Sequence, residues 1–165
     1  MPMNDLSRSF KLVTVWLLLG VATFLGVQAW LHQRDRTAFV VDGSSIEIER
    51  GADGHYRWPG RVNGREVEFL IDTGATGTAI PASLARELDL PQRGVVRSHT
   101  AGGPVDGVVV LADISLRGGV RADRLRVVAL PGLARPLLGM DVLSRLDLVQ
   151  RGGVLRVERG RGDAH

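Results

Sequence analysis

Many short strand-like segments, separated by glycine-rich breaks, follow one another along the chain. This arrangement limits the folds that the chain can adopt. Residues 45–50 contain Ser-Ile-Glu-Ile-Glu, which has the two-residue period of a half-exposed strand. Similar runs lie at 95–100, 105–116, 124–130, 148–150 and 154–158. After residue 45, short helices are predicted at 81–88 and 140–146, and strands do not alternate with helices. The pattern predicts a mainly β domain, an antiparallel sandwich or small barrel with short helices.

A β-hairpin is predicted early in this domain. His55–Val62 forms a candidate strand, although Pro59 cannot donate a backbone hydrogen bond and suggests a sheet edge. The following Asn63-Gly64 dipeptide favours the positive φ angles of a type I′ turn. Residues 57–62 are therefore expected to pair with residues 65–71.

An apolar segment precedes the predicted domain. Leu12–Leu31 holds twenty residues without a charge, and as a helix it would span a hydrocarbon core of roughly 30 Å. Two basic residues flank each end, Arg8 and Lys11 on one side and Arg34 and Arg36 on the other. The positive-inside rule therefore gives no orientation.

The segment predicts an uncleaved, single-pass anchor in the cell inner membrane, with the globular part outside the cytoplasm. A cleaved signal peptide is the alternative, because small residues surround Val27-Gln28-Ala29. A buried core helix would normally carry a polar face. The predicted organisation is a tail (1–11), a transmembrane helix (12–31), a linker (32–44), the β domain (45–160) and a second tail (161–165).

Composition excludes several classes of function. The chain has no Cys and therefore no disulfide or thiolate site. Its net charge of +3 comes from Arg residues scattered among Asp and Glu, and aromatic residues are few, so nucleic-acid binding is not expected. The four His residues lack ligand spacing, so no metal or other cofactor is predicted. Ser83 lacks the Gly-x-Ser-x-Gly context of a nucleophile.

The segment EFLIDTGATGTAI (68–80) places a carboxylate, Asp72, at the end of an apolar strand. Burying an unpaired charge costs several kcal/mol or more, so such a carboxylate needs a reason. Gly74–Gly77 is not a phosphate-binding loop, because no Lys-Ser/Thr pair follows it. Two interpretations of Asp72 stay open at this level: a turn residue that accepts backbone N–H groups, and a catalyst.

Asp72-Thr73-Gly74 at the end of an apolar strand resembles the active-site signature of the retropepsin-like aspartic proteases. Leu137-Leu138-Gly139 is similar to the second, structural motif of that family, and Thr100-Ala101-Gly102-Gly103 stands where the family carries its substrate-binding flap. The resemblance covers about residues 55–158 and is closest to bacterial, membrane-anchored, single-domain members. It implies a retropepsin-like fold and an aspartic endopeptidase acting on peptides or proteins.

The resemblance implies that Asp72 is catalytic, with Thr73 gripping its symmetry mate and Gly74 shaping the loop. Peptide hydrolysis by this chemistry uses two neighbouring carboxylates that share one proton. The chain has a single Asp-Thr-Gly triplet, which implies a homodimer that brings two copies of Asp72 together. Asp141 is the other candidate for the second carboxylate, but its position favours a helix cap.

One residue departs from the retroviral pattern. Met140 stands where retroviral members usually have Arg, so the ion-pair support beneath the active site and the retroviral dimer contacts are not expected here. Bacterial members resemble this chain at that position. The alternative function is a non-catalytic dimeric peptide-binding module that keeps the same fold.

Overall fold

The computed structural model describes residues 5–34, 38–41, 45–100 and 103–159. The chain divides into two compact units, Met1–Arg36 and Thr37–His165. The first unit holds one helix, α1, over Asp5–Arg34. The second unit holds the β-strands and two short helices.

Helix α1 contains the apolar segment of the sequence. Residues 13–28 are exposed along it, including Trp16 and Phe24. Across the four described ranges, no helix combines the length and the apolar character that crossing a membrane requires. The structure therefore does not support the transmembrane helix predicted over 12–31.

The second unit is mainly β, as predicted. Its strands are β1 (Ala38–Val41), β2 (Ile46–Glu49), β3 (Arg57–Val62), β4 (Arg65–Ile71), β5 (Ala79–Pro81), β6 (Gln92–Thr100), β7 (Gly103–Leu116), β8 (Val120–Leu130), β9 (Leu137–Leu138), β10 (Leu146–Arg151) and β11 (Val154–Arg159). The helices are α2 (Ala82–Glu87) and α3 (Met140–Leu143). An eight-stranded sheet has the order β1-β8-β5-β9-β4-β3-β7-β6, and a smaller sheet has the order β10-β11-β2.

The predicted β3–β4 hairpin is confirmed, with Val62 paired to Arg65. Asn63 and Gly64 have φ angles of 47° and 84°, as a type I′ turn requires. The edge position inferred from Pro59 is wrong, because β3 lies between β4 and β7. Pairing between β3 and β7 begins only at Gly60, so the missing N–H of Pro59 falls at the end of that ladder.

Two further elements differ from the sequence expectation. Strand β1 lies inside the predicted linker 32–44 and pairs antiparallel with β8 from Ala38 to Val41. Its Ala-Phe-Val-Val sequence suits a strand, since β-branched and aromatic residues favour the pleated backbone. Helix α3 ends at Leu143, whereas helix was predicted to 146, because Leu146 already begins β10.

A single hydrophobic core holds the second unit together. Its largest fully buried side chains include Trp58 and Phe69 on the β3–β4 hairpin, which face each other across the register. Trp58 Nε1 donates a hydrogen bond of 2.8 Å to the carbonyl of Arg117, so burial leaves no unpaired indole N–H. Because β4 leads directly into Asp72, this core fixes the strand that carries the predicted catalyst.

Truncation of Phe69 tests the importance of this hairpin. Phe69→Ala should lower the free energy of unfolding by about 3–5 kcal/mol, because it leaves a cavity in a fully buried site. Urea denaturation followed by circular dichroism measures the change. Glu66→Ala, on the same strand with a side chain 79% exposed, is the control and should stay within about 0.5 kcal/mol of the parent chain. Equal losses would contradict the assigned core.

Candidate active site

Asp72 lies at the carboxyl end of β4, beside the second predicted motif. Strand β9 runs parallel to β4 and pairs Leu70 with Leu137 and Ile71 with Leu138. The backbone N–H of Asp72 donates to the carbonyl oxygen of Leu138 over 3.0 Å. Two segments that are far apart in sequence therefore meet at the carboxylate.

The turn after β4 orients the Asp72 side chain. The backbone N–H of Gly74 donates to Asp72 Oδ1 over 2.9 Å, and the N–H of Ala75 donates to the Asp72 carbonyl over 3.2 Å. A Cβ at Gly74 would lie 3.2 Å from the same Oδ1 atom, which is a tight approach. Oδ2 accepts no hydrogen bond from the described part of the chain. The carboxylate is thus held through one oxygen, and the other is open to a ligand.

Thr73 stands at the apex of this turn. It is exposed, and its hydroxyl makes no hydrogen bond with the residues that the structure describes. The Thr73 hydroxyl therefore does not support the loop from within the described part of one chain. An exposed hydroxyl beside Asp72 is compatible with a contact to a second copy, as the resemblance implies.

The second motif packs directly on the loop that follows Asp72. The N–H groups of Met140 and Asp141 donate to the carbonyls of Ala75 and Thr76 over 2.9 and 3.2 Å. A Cβ at Gly139 would lie 2.4 Å from the carbonyl carbon of Gly77, so the two backbones touch where only Gly fits. Backbone hydrogen bonds, rather than an ion pair from residue 140, support the loop.

Asp141 joins the two motifs and does not cap its helix as predicted, because Gly139 occupies the N-cap position. Its carboxylate accepts hydrogen bonds from Thr78 N–H (3.0 Å), Thr78 Oγ1 (2.8 Å) and Val142 N–H (3.0 Å). Thr78 is fully buried, and its Oγ1 accepts a bond of 3.2 Å from Gly139 N–H. Asp141 is therefore a structural carboxylate, committed to the fold by these contacts.

Sequence reasoning missed Thr78. Thr78 lies five residues after Thr73, the middle residue of the Asp-Thr-Gly triplet. It directly precedes the apolar Ala-Ile-Pro sequence of β5. A hydroxyl at the start of a fully buried strand requires a partner. That requirement was the available signal, but the partner is more than sixty residues away in sequence.

A groove of about 710 Å³ opens in front of Asp72. It is lined by Asp72, Gly74, Ala75, Thr76, Gly77, Ala79, Ser98, His99, Val128, Leu130 and Leu137. Leu137, predicted as structural, contributes to this lining, while Leu138 and Gly139 are buried behind it. The groove thus combines one carboxylate with a mostly apolar wall.

The predicted flap corresponds to the end of the β6–β7 hairpin, where Thr100 pairs with Gly103. Ala101 and Gly102 lie outside the described residues. Ser98 and His99, just before the predicted flap, line the groove together with Asp72. The hairpin therefore stands beside the predicted catalyst, and it brings to the groove two residues, Ser98 and His99, that the sequence prediction did not include.

Ionisable groups with altered pKa values lie outside this groove. The Arg57 guanidinium, hydrogen-bonded to Asp53, lowers the pKa of that carboxyl, and Arg61 lowers the pKa of Glu66 in the same way. Both pairs are on the exposed surface before and along the β3–β4 hairpin. In the described residues, no group of three or more potential ligands could hold a metal ion.

The family model of the aspartyl proteases matches residues 58–142, just over half of the chain, and it includes both motifs. The chain belongs to the aspartyl protease family. A crystal structure of a retropepsin-like aspartic protease from Rickettsia conorii matches with a TM-score of 0.54 and 21% identity, over 74% of this chain and 92% of that one. The resemblance to retropepsin-like aspartic proteases is thereby confirmed for the fold and the family.

The chain is also similar to the uncharacterized protein in the cobV 5′ region of a Sinorhizobium species. It is 30% identical over 110 residues, which cover 64% of this chain and 47% of that protein. The match therefore spans about half the length of that relative.

The buried link that Thr78 makes between the two motifs can be tested with Thr78→Val. Valine keeps the branched shape but leaves Gly139 N–H without its acceptor and removes one of the three donors to the Asp141 carboxylate, so the free energy of unfolding should fall by about 1–3 kcal/mol. Thr76→Val, at an exposed position in the same loop, is the matched control. If urea denaturation gives the same stability for both variants, the link does not stabilise the fold.

Proposed function

We propose that this protein is an aspartic endopeptidase in which Asp72 is the catalytic carboxylate. The observation that carries the proposal is the position of Asp72, at the end of a core strand and on the wall of a groove flanked by a β-hairpin. Membership of the aspartyl protease family supports the same chemistry. The substrate is a peptide or protein segment, which the largely apolar lining and the neighbouring strands suit in an extended form.

Hydrolysis of a peptide bond requires a base and an acid in one site. Among the residues that line the groove, Asp72 is the only carboxylate, and Asp141 is committed to Thr78 and Val142. A second Asp72 across a two-fold axis supplies the missing group, so the working unit is a homodimer with an isologous contact. Thr73 and Gly74 are exposed and Asp72 is half-buried, which leaves this face of the chain accessible to a second copy.

The shared site would act through a water molecule. The ionised Asp72 carboxylate takes a proton from the water, and the water oxygen attacks the carbonyl carbon of the peptide bond. The protonated Asp72 carboxyl of the other chain gives its proton to the carbonyl oxygen. Collapse of the resulting diol breaks the C–N bond. The protonated carboxyl gives its proton to the leaving nitrogen, and the ionised carboxylate takes a proton from a diol hydroxyl, so the dyad again holds one proton. Two adjacent carboxyls that hold one proton between them provide both roles at once.

The β6–β7 hairpin completes the proposed site as a substrate-binding flap. Its strands bring Ser98 and His99 to the groove, and Thr100 and Gly103 form the last described pair before its tip. A hairpin over the groove would order an extended substrate and exclude water during the reaction.

The direct test is Asp72→Asn, assayed by mass spectrometry with a peptide library. Asparagine retains an oxygen that can accept the Gly74 N–H bond, so the turn should persist while the acid–base chemistry is lost. Cleavage should fall at least a thousandfold, on the order of the loss of a general acid–base group. Asp147→Asn, at an exposed carboxylate, is the matched control. Peptide binding without cleavage by the parent chain would instead indicate a binding module.

The same variant tests the shared site. When active chain is mixed with excess Asp72→Asn chain under conditions that allow exchange, mixed dimers hold only one carboxylate at position 72. Total cleavage by a fixed amount of active chain should therefore fall as variant is added. Asp147→Asn chain should cause no such fall. If activity does not depend on added variant or on protein concentration, and the active species sediments as a monomer, one chain suffices.

Attachment to the cell inner membrane through residues 12–31 is a separate proposal that rests on the sequence. The twenty residues carry no charge, and as a helix they would match a hydrocarbon core of roughly 30 Å. The catalytic unit would lie outside the cytoplasm. Confinement to a surface would raise the effective concentration of two chains and favour their pairing.

Fractionation of cells that express the full chain tests the anchor. The full chain should sediment with membranes and resist carbonate extraction, and a chain that begins at Thr37 should not. Protease added outside the inner membrane should degrade the second unit. A soluble mature chain that begins near Trp30 would establish a cleaved signal peptide, and a soluble full-length chain would overturn both interpretations.

A further inference from the structure

The groove in front of Asp72 contains a second ionisable side chain that the proposed hydrolysis does not use. Of the residues that line the groove, only Asp72 and His99 ionise, and the others are apolar, small or hydroxylated. His99 comes from β6, an edge strand that β3 and β7 separate from β4 in the order of the large sheet. A substrate that runs between the hairpin and Asp72 would therefore pass this imidazole.

The surroundings of His99 leave its ring available to a ligand. The side chain is exposed and makes no hydrogen bond with the residues that the structure describes. Its cross-strand neighbour on β7 is Pro104, which has no charge. The nearest basic residue on the same strand face, Arg97, is paired with Asp106 at 2.9 Å. Among these neighbours and the groove lining, Asp72 is the only unpaired charge.

We infer that His99 is a specificity-determining residue that favours an acidic side chain at one position of the substrate. The inference rests on the proposed endopeptidase function and specifies its substrate class. Histidine ordinarily gains a proton between about pH 8 and pH 5, whereas a substrate Glu stays ionised down to about pH 4.3. When protonated, a histidine at this place on the hairpin offers a charged N–H donor to a carboxylate, and the other residues that line the groove include no Arg or Lys.

The selectivity should be modest and dependent on pH. A solvent-exposed ion pair changes an equilibrium by about two- to fivefold, and histidine in general carries its positive charge only toward acidic pH. Asp72 complicates a simple pH profile, because its own protonation changes the rate. The ratio of kcat/KM for two substrates at the same pH removes that contribution, provided that both substrates are cleaved at the same bond.

The test uses the full chain and pairs of peptides in which one residue is either Glu or Gln. That residue is moved in turn through each position from four residues before the cleaved bond to four residues after it. At one position, kcat/KM for the Glu peptide should exceed that for the Gln peptide about two- to fivefold at pH 5 and become equal at pH 7.5. In His99→Gln the preference at pH 5 should disappear. His55→Gln, which removes a histidine outside the groove, should keep it.

Binding of the same peptides to the Asp72→Asn chain, measured by fluorescence anisotropy, separates this inference from the proposed function. A Glu preference in Kd without cleavage by the parent chain would support the role of His99 and overturn the protease. Cleavage without a Glu preference at any position would overturn the role of His99 alone. A preference for Glu over Gln at pH 5 that persists in His99→Gln would show that His99 is not its source. That result would also overturn the inference. Absence of both binding and cleavage would overturn both proposals.

Discussion

The close contact between the backbones of Gly77 and Gly139 is the constraint on which the site depends. A single added Cβ at residue 139 would lie 2.4 Å from the carbonyl carbon of Gly77, so the two motifs meet at van der Waals distance without an intervening side chain. This approach lets Met140 and Asp141 donate to the loop after Asp72, and it lets Asp141 reach the buried Thr78. The position of the catalytic candidate follows from packing between distant segments.

The support beneath the loop is built from backbone hydrogen bonds and one half-buried carboxylate, that of Asp141. Retroviral members, which the sequence resembles, usually have Arg where this chain has Met140, so an ion pair was not expected here. Salt has little effect on hydrogen bonds inside the fold. It weakens the interaction between exposed charges, because the Debye screening length is about 10 Å at moderate ionic strength. The support around Asp72 should therefore depend on packing rather than on ionic strength.

The single chain offers half of an acid–base site and a largely apolar groove. Asp72 is held through one carboxylate oxygen, and Thr73 is exposed beside it. The same groove receives His99 from a hairpin at the far edge of the large sheet. The chemistry proposed for Asp72 and the selectivity proposed for His99 thus belong to different structural elements, and substitutions can change them separately.

The sequence by itself determined the β class, the β3–β4 hairpin and the two motifs, because alternation, the Asn-Gly turn and the Asp-Thr-Gly triplet act over a few residues. Tertiary structure decided the rest. Pro59 proved compatible with an inner strand, because its ladder to β7 begins one residue later. The partnership of Thr78 with Asp141 and the arrival of His99 at the groove link residues more than twenty apart. Such contacts depend on how sheets and loops pack, and local residue patterns do not specify that packing.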